Sequence, residues 1–419
     1  MIRDVALRAA ALSCLTTVAV AQDPPEAEAA PPREWVGGAP LWEWTRLTGD
    51  WGGLRTSLAE SGVEVSGGYT VDFAAPWSGD TRRRSTTANL LDVNAAFDLE
   101  QLLGLRRTLF YFDAYRIAGG NPTNDVGDYG TLSNIAAPEV AQIAELWVET
   151  WLGDTVRVKA GKVDFNSEFS FHEIGGEFVN STAAIVPTIV YYPTYPNPAT
   201  SVNVFWSLGE NTYVGAAVYD GANANGIQTG KRGPRGFFSD DESDAYFYAI
   251  EAGTGWAGRD RWGSGRAAIG AFHHSASFTR FDGNTDRGTE GLWFSLEQVL
   301  WREDPTATDP QGVGAFVSFG FADDAVSACG FSLAAGFEWT GALAGRDYDV
   351  FGFGLFLCDL SDDPAAGTPE DELTLELFYK AQLTPAVSLK PELQYIVHPG
   401  GIAGVDDVLV GLLRLEVLF

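Results

Sequence analysis

The sequence predicts an all-β protein, a transmembrane antiparallel β-barrel of about sixteen strands with short periplasmic turns and long external loops. Three observations predict it. Apolar and polar residues alternate in runs of 10–11, the length of a tilted strand crossing a membrane and about twice the common soluble strand. Short and long connections take turns along the chain. No stretch of the mature chain reaches 18 consecutive apolar residues, so a membrane could be crossed only by strands.

The elements follow in order. Arg3 and Arg8, the apolar run Ala9 to Ala21, and Ala19-Val20-Ala21 ahead of Gln22 read as a cleaved signal peptide over residues 1–21. Its apolar run is too short for a bilayer core of roughly 30 Å. Acylation at Cys14 is disfavoured by Ala11, where a lipoprotein signal carries Leu or a similar residue. Residues 22–45, rich in Pro, Ala and Glu, read as a flexible periplasmic lead. Residues 46–62 read as a short helical element, with Asp50 as cap, Leu54 and Leu58 one turn apart, and Gly62 as terminator.

The barrel occupies 63–419. Strands are expected near 63–73, 87–97, 107–117, 143–152, 155–164, 200–207, 212–220, 244–255, 265–275, 291–301, 313–321, 330–340, 349–358, 373–383, 388–397 and 409–419. In the first, Val63, Val65, Tyr69, Val71 and Phe73 face away from Glu64, Ser66, Thr70 and Asp72; in the last, Leu409, Leu413, Leu415, Val417 and Phe419 face away from Arg414 and Glu416. Leu99 to Leu105 is expected as a short helix at a turn. Short connections at 153–154, 208–211, 341–346 and 384–387 alternate with long ones at 119–142, 166–199, 221–243, 275–289 and 359–372. All long loops then fall on one side, and about sixteen strands leave an aqueous lumen. Cys329 opens one strand and Cys358 closes the next, symmetrically about the turn at 342–345, which predicts a directly opposed cross-strand disulfide at the external rim.

Composition removes other classes. With 56 Asp+Glu against 27 Lys+Arg, the formal charge of −29 excludes nucleic acid as a partner. Loss of Arg3, Asp4 and Arg8 with the signal leaves −30. Forty-eight glycines and 13% aromatics exclude a coiled coil, and 45% hydrophobic residues exclude disorder. The mean hydropathy is near zero, as expected when strands average a lipid-facing half with a wet half and acidic loops lower the sum. The four histidines, His172, His273, His274 and His398, have no metal-ligand spacing, and no nucleophile elbow, phosphate loop or dinucleotide fingerprint occurs. Neither catalysis nor a cofactor is expected.

Leu47-Thr48-Gly49-Asp50-Trp51-Gly52-Gly53-Leu54-Arg55-Thr56, followed by Leu58-Ala59-Glu60-Ser61-Gly62-Val63, resembles the amino-terminal signature of the carbohydrate-selective outer-membrane porins of the OprB type. The resemblance continues in Ser133-Asn134-Ile135 with Pro138, Glu145-Leu146-Trp147, Gly161-Lys162, Asp164-Phe165-Asn166-Ser167-Glu168-Phe169, Gly345-Arg346-Asp347, and Gln394-Tyr395 with Pro399-Gly400-Gly401. It implies a sixteen-stranded outer-membrane channel for sugars, with charged lumen residues and an inward-folded loop narrowing the pore. Residues 221–290 carry no matching motif, and Ser318 stands where the family suggests a basic lumen residue.

The residues fit such a channel on their own terms. If Leu146, Val148 and Leu152 meet lipid, Glu145, Trp147 and Glu149 face inward; on the next strand Arg157 and Lys159 face inward too. Opposite charges then share the lumen, offering donors and acceptors without a dominant field, and Trp147 could lie against the apolar face of a pyranose. Glu376, Lys380 and Glu392 are further channel-lining candidates. Loop 166–199 is the expected constriction, with Asp164, Asn166 and Glu168 where it leaves the wall, and His172, Glu173, Glu177 and three tyrosines along it. Expected partners are small sugars as transported solutes, outer-membrane lipid and lipopolysaccharide, and the barrel-assembly machinery through Phe419; monomer and homo-oligomer stay open. Two other readings remain: a secreted soluble all-β sugar-binding protein or glycoside hydrolase, since 56 carboxylates offer many pairs, and a general or ion-selective diffusion porin.

Overall fold

The computed structural model describes residues 40–79, 84–238, 244–304 and 310–419. The expected signal peptide and residues 22–39 of the lead lie outside them.

Sixteen strands form one closed antiparallel barrel: β1 (Val63–Pro76), β2 (Thr86–Asp98), β3 (Thr108–Gly119), β4 (Val140–Leu152), β5 (Val156–Val163), β6 (Ala199–Ser207), β7 (Thr212–Asp220), β8 (Tyr246–Trp256), β9 (Gly265–Thr279), β10 (Thr285–Arg302), β11 (Gly312–Ala322), β12 (Cys329–Thr340), β13 (Val350–Leu360), β14 (Glu372–Thr384), β15 (Val387–Val397) and β16 (Val408–Leu418). Each pairs with its sequence neighbours, and β1 pairs with β16 from Gly68↔Leu418 to Pro76↔Val410. Phe419 extends the seam, its N–H donating to the Gly67 carbonyl (2.9 Å) and its carbonyl accepting from the Gly67 N–H (3.0 Å). Among the described residues no strand is left with an open edge.

The period of two decides the wall. Phe73, Trp206, Ile250, Ile269, Leu292 and Phe321 are exposed on the outside, and Trp77 and Trp206 stand near opposite ends of their strands, as in the aromatic girdles of outer-membrane barrels. The inner face has two parts. Its polar part carries the charged residues. Its apolar part packs against loops folded into the barrel: Phe165, Phe169, Val186 and Ile189 meet Phe205, Tyr219, Phe247, Phe272 and Trp293, while Leu132 and Val179 meet Ile396, Val408, Val410 and Leu412.

Three expectations change. The long loop expected at 275–289 is largely a hairpin, because β9 and β10 run on to Thr279 and from Thr285. Helix α1 (Leu54–Glu60) has Gly53 at its N-cap, with φ 96°; Asp50 still holds the helix, accepting from the N–H and hydroxyl of Thr56, each at 2.8 Å. The cysteines are not directly opposed. Thr340 pairs with Val350, so the hairpin is centred on residue 345 and its turn is longer than expected; Ser332 therefore stands opposite Cys358 and Leu360 opposite Cys329, and the cysteines are free thiols buried in one cluster with Leu360. Helix α2 (Leu99–Leu103) forms as expected, capped by Asp98, which accepts from Glu100 and Gln101 N–H, and closed by Gly104.

Candidate functional site

Alternation on β4 exposes Leu146, Val148 and Leu152 and buries Glu145, Trp147 and Glu149. On β5 it turns Arg157 and Lys159 to the same interior. Gly161 lets β5 approach β4 closely: its φ is +139°, and a Cβ there would lie 2.6 Å from the Trp147 Cα. The next residue, Lys162, then turns inward, donating from Nζ to the carbonyls of Ile143 (2.7 Å) and Gly230.

The loop from Asp164 to Pro198 enters the barrel and crosses it. Four glutamates on alternate strands hold its backbone. Glu251 of β8 accepts from Ser170 N–H at 2.8 Å. Glu297 of β10 accepts from Glu173 (2.6 Å) and Ile174 (2.9 Å). Glu338 of β12 accepts from Glu177 at 3.0 Å, and Glu376 of β14 accepts from Val179 (2.8 Å) and Asn180 (2.9 Å). N–H groups facing a carboxylate make charge-assisted bonds, about twice as strong as neutral ones. Glu177 adds an ionic anchor, at 2.7 Å from Lys380 Nζ and 2.8 Å from Lys390 Nζ. Burial opposes ionisation of Glu177, but the two ammonium groups hold its pKa below the ordinary value.

The root of the loop is tied as firmly. Arg157 bridges Glu149 (2.9 Å) and Glu168 (2.6 Å), and Lys159 pairs with Glu168 and lies 3.4 Å from Glu149. Against the cost of burial, Arg157 and Lys159 keep the Glu168 carboxyl below its ordinary range. Asp164 joins departure and return, accepting from Asn166 N–H (2.8 Å), the Thr194 hydroxyl (2.7 Å) and Tyr195 N–H (2.7 Å). Burial pushes Asp164 up to about 6, with those donors limiting the rise. Asn166 donates to the Ser170 carbonyl at 3.2 Å.

The residues singled out from sequence therefore reach the barrel interior, but many bind the loop instead of facing solute. Trp147 is not an open sugar platform: it is 1% exposed, stacked on Tyr111 at 4.9 Å, and has Lys159 Nζ 3.8 Å from its ring centre. Its indole N–H donates to Glu145 at 2.7 Å. His172 is half-buried on Phe316, 4.3 Å between ring centres, and Glu173 is exposed. Lys380 pairs with Glu177, Glu376 clamps the loop, and Glu392 accepts from Gln394 at 2.6 Å. Loop 166–199 is joined by a second inward segment, around 129–135, that sequence reasoning left outside. Glu372 accepts from Tyr129 (2.6 Å) and Gly130 (2.7 Å) N–H. Arg414, bidentate to Asp72 at 2.7 and 2.8 Å, also donates to Asn134 at 2.6 Å, and Ser133 donates to Asp72. Gln394 donates to the Leu132 carbonyl at 2.8 Å and accepts from Asn180 at 3.2 Å. Glu251, Glu297, Glu338, Lys390 and Arg414 were thus missed as site residues; their signal was an inward charge on a strand facing a long loop.

A model of a family described as carbohydrate-selective porin, OprB family, matches residues 82–419. Porin B of Pseudomonas aeruginosa is 24% identical over 438 aligned positions, spanning 91% of this chain and 92% of its own. QuiX of Acinetobacter baylyi is 26% identical, spanning 90% and 94%. The high-pH structure of OprB from Pseudomonas putida has the same fold, with a TM-score of 0.80 at 20% identity over 90% of this chain and 99% of that one.

Proposed function

The chain belongs to the OprB family of carbohydrate-selective porins, and we infer from that membership and the lumen's geometry how it works. It is an outer-membrane porin for passive diffusion of sugars. One observation carries the mechanism: a loop held across the lumen by Glu251, Glu297, Glu338 and Glu376. A sixteen-stranded wall alone would leave a wide aqueous hole. The loop narrows it, and in doing so engages wall carboxylates with N–H groups, while Glu149, Glu168 and Glu177 are matched by Arg157, Lys159, Lys380 and Lys390.

The path left to a solute is polar, with much of its charge internally paired. A sugar sheds hydration water there and exchanges it for lumen donors and acceptors, while a neutral molecule experiences little net field. The concentration gradient supplies the drive, and no step needs a catalytic group. Export through a signal peptide ending at Ala21, assembly through the carboxy-terminal Phe419, and an outer wall set in lipid and lipopolysaccharide complete this reading. Proteoliposomes test it: vesicles carrying the protein should swell in isosmotic glucose, and vesicles that admit potassium chloride but no sugar would move the chain to the ion-selective porins.

A further inference from the structure

At the external mouth, the returning end of the inward loop and the segment after β7 border an open recess of about 270 Å³. Among the described residues, Tyr191, Tyr192, Thr194, Tyr195, Asn223 and Gln228 line it, and no charged side chain does. In a chain with 56 carboxylates, a charge-free lining points to an uncharged ligand. The volume lies just under the roughly 300 Å³ at which drug-sized pockets begin, which suits one sugar ring and not a chain of them.

The cavity is built in advance. Tyr191 is stacked on Phe278, 5.7 Å between centres and 29° between planes, yet remains 48% exposed. Asn223 donates from Nδ2 to the carbonyls of Tyr191 (2.5 Å) and Tyr192 (3.2 Å). Tyr195 donates to the Ile135 carbonyl at 2.7 Å, and the Pro196 carbonyl accepts from Tyr115 and Gln142, both at 2.6 Å. Fixed rings with amide groups and no formal charge match the apolar face and hydroxyl edge of a pyranose.

We propose that this cavity captures a single neutral sugar ring at the external mouth, ahead of the constriction; the inference rests on the sugar-porin reading above. Saturation-transfer NMR on the purified full-length protein, with glucose and its carboxylate relative gluconate as probes, tests it. Wild type should give a saturable glucose signal and a much weaker gluconate one. Ile227→Trp, which fills the cavity, and Tyr191→Ala should each weaken glucose binding by at least about fivefold. Full wild-type glucose binding in both variants overturns the proposal, as does equal binding of gluconate. If neither variant folds, nitration of Tyr191 in wild type decides: glucose should slow it and gluconate should not, and an unaffected rate refutes the site. Wild type that passes glucose in swelling assays but fails these tests retains the porin reading and loses the cavity; wild type that neither passes nor binds glucose loses both.

Discussion

Lys159 shows how much one side chain carries. Its ammonium faces Glu168 and Glu149 and lies over Trp147, all within the buried root of the inward loop. Lys159→Met keeps the stem and deletes the charge, leaving two buried carboxylates to Arg157 alone. Loss of one partner from a buried pair costs about 3–5 kcal/mol, so the heat-induced change in gel mobility should begin at a lower temperature than in wild type; an unchanged onset would show that the network contributes little. The same groups set an acid limit. Glu168 and Glu177 sit below the ordinary 4.5, so their contribution is complete above that pH and is lost as pH falls through the lower folded values. His172, held at about 4 by burial against an ordinary 6.5, erodes stability as pH drops below 6.5, because only the unfolded chain takes up the proton. Asp164, raised to about 6, acts in the opposite sense over nearly the same window. The onset temperature should therefore change little between pH 8 and 5 and fall below about 4.5. A maximum near pH 3 would contradict these assignments.

At the scale of elements, strands and clamps differ in what a sequence reveals. The strands are legible because period two is local: Leu146, Val148 and Leu152 announce the outer face of β4 without knowledge of any other strand. The clamps are not, since Val179 meets Glu376 across 197 residues and nothing near either position marks the pairing. Trp147 was misread for the same reason: its inward direction is local, but the Tyr111 and Lys159 that cover it come from other strands. The opposition of Cys329 and Cys358 fails likewise on the turn: Thr340 pairs with Val350, a longer connection than the local sequence marks, and every partner beyond it moves accordingly. The clamp makes its own prediction. Glu297→Ala and Glu376→Ala each strand two loop N–H groups, at about 1.5–3 kcal/mol for each bond to a charged acceptor. Open-channel noise and mean conductance should rise in both variants, most in the double variant. Wild-type noise in the double variant would mean that aromatic packing alone holds the loop.

For the whole molecule, the near-zero mean hydropathy and the charge of −29 describe different surfaces. Outward apolar residues offset a polar interior in the first. In the second, many inward carboxylates are answered by loop N–H groups or by Arg157, Lys159, Lys380, Lys390 and Arg414, so the total is a poor guide to which solutes cross. The seam between β1 and β16 joins closure of the barrel to shaping of the lumen, since the Asp72–Arg414 pair that bridges it also grips Ser133 and Asn134. A closed barrel narrowed by its own loop should conduct neutral sugars, and single-channel current in a planar bilayer, recorded while glucose is added, reads this out. Ion current should fall saturably with glucose concentration, with weak selectivity between cations and anions; a current that glucose leaves untouched, carried by a strongly cation-selective pore, would rule a sugar channel out.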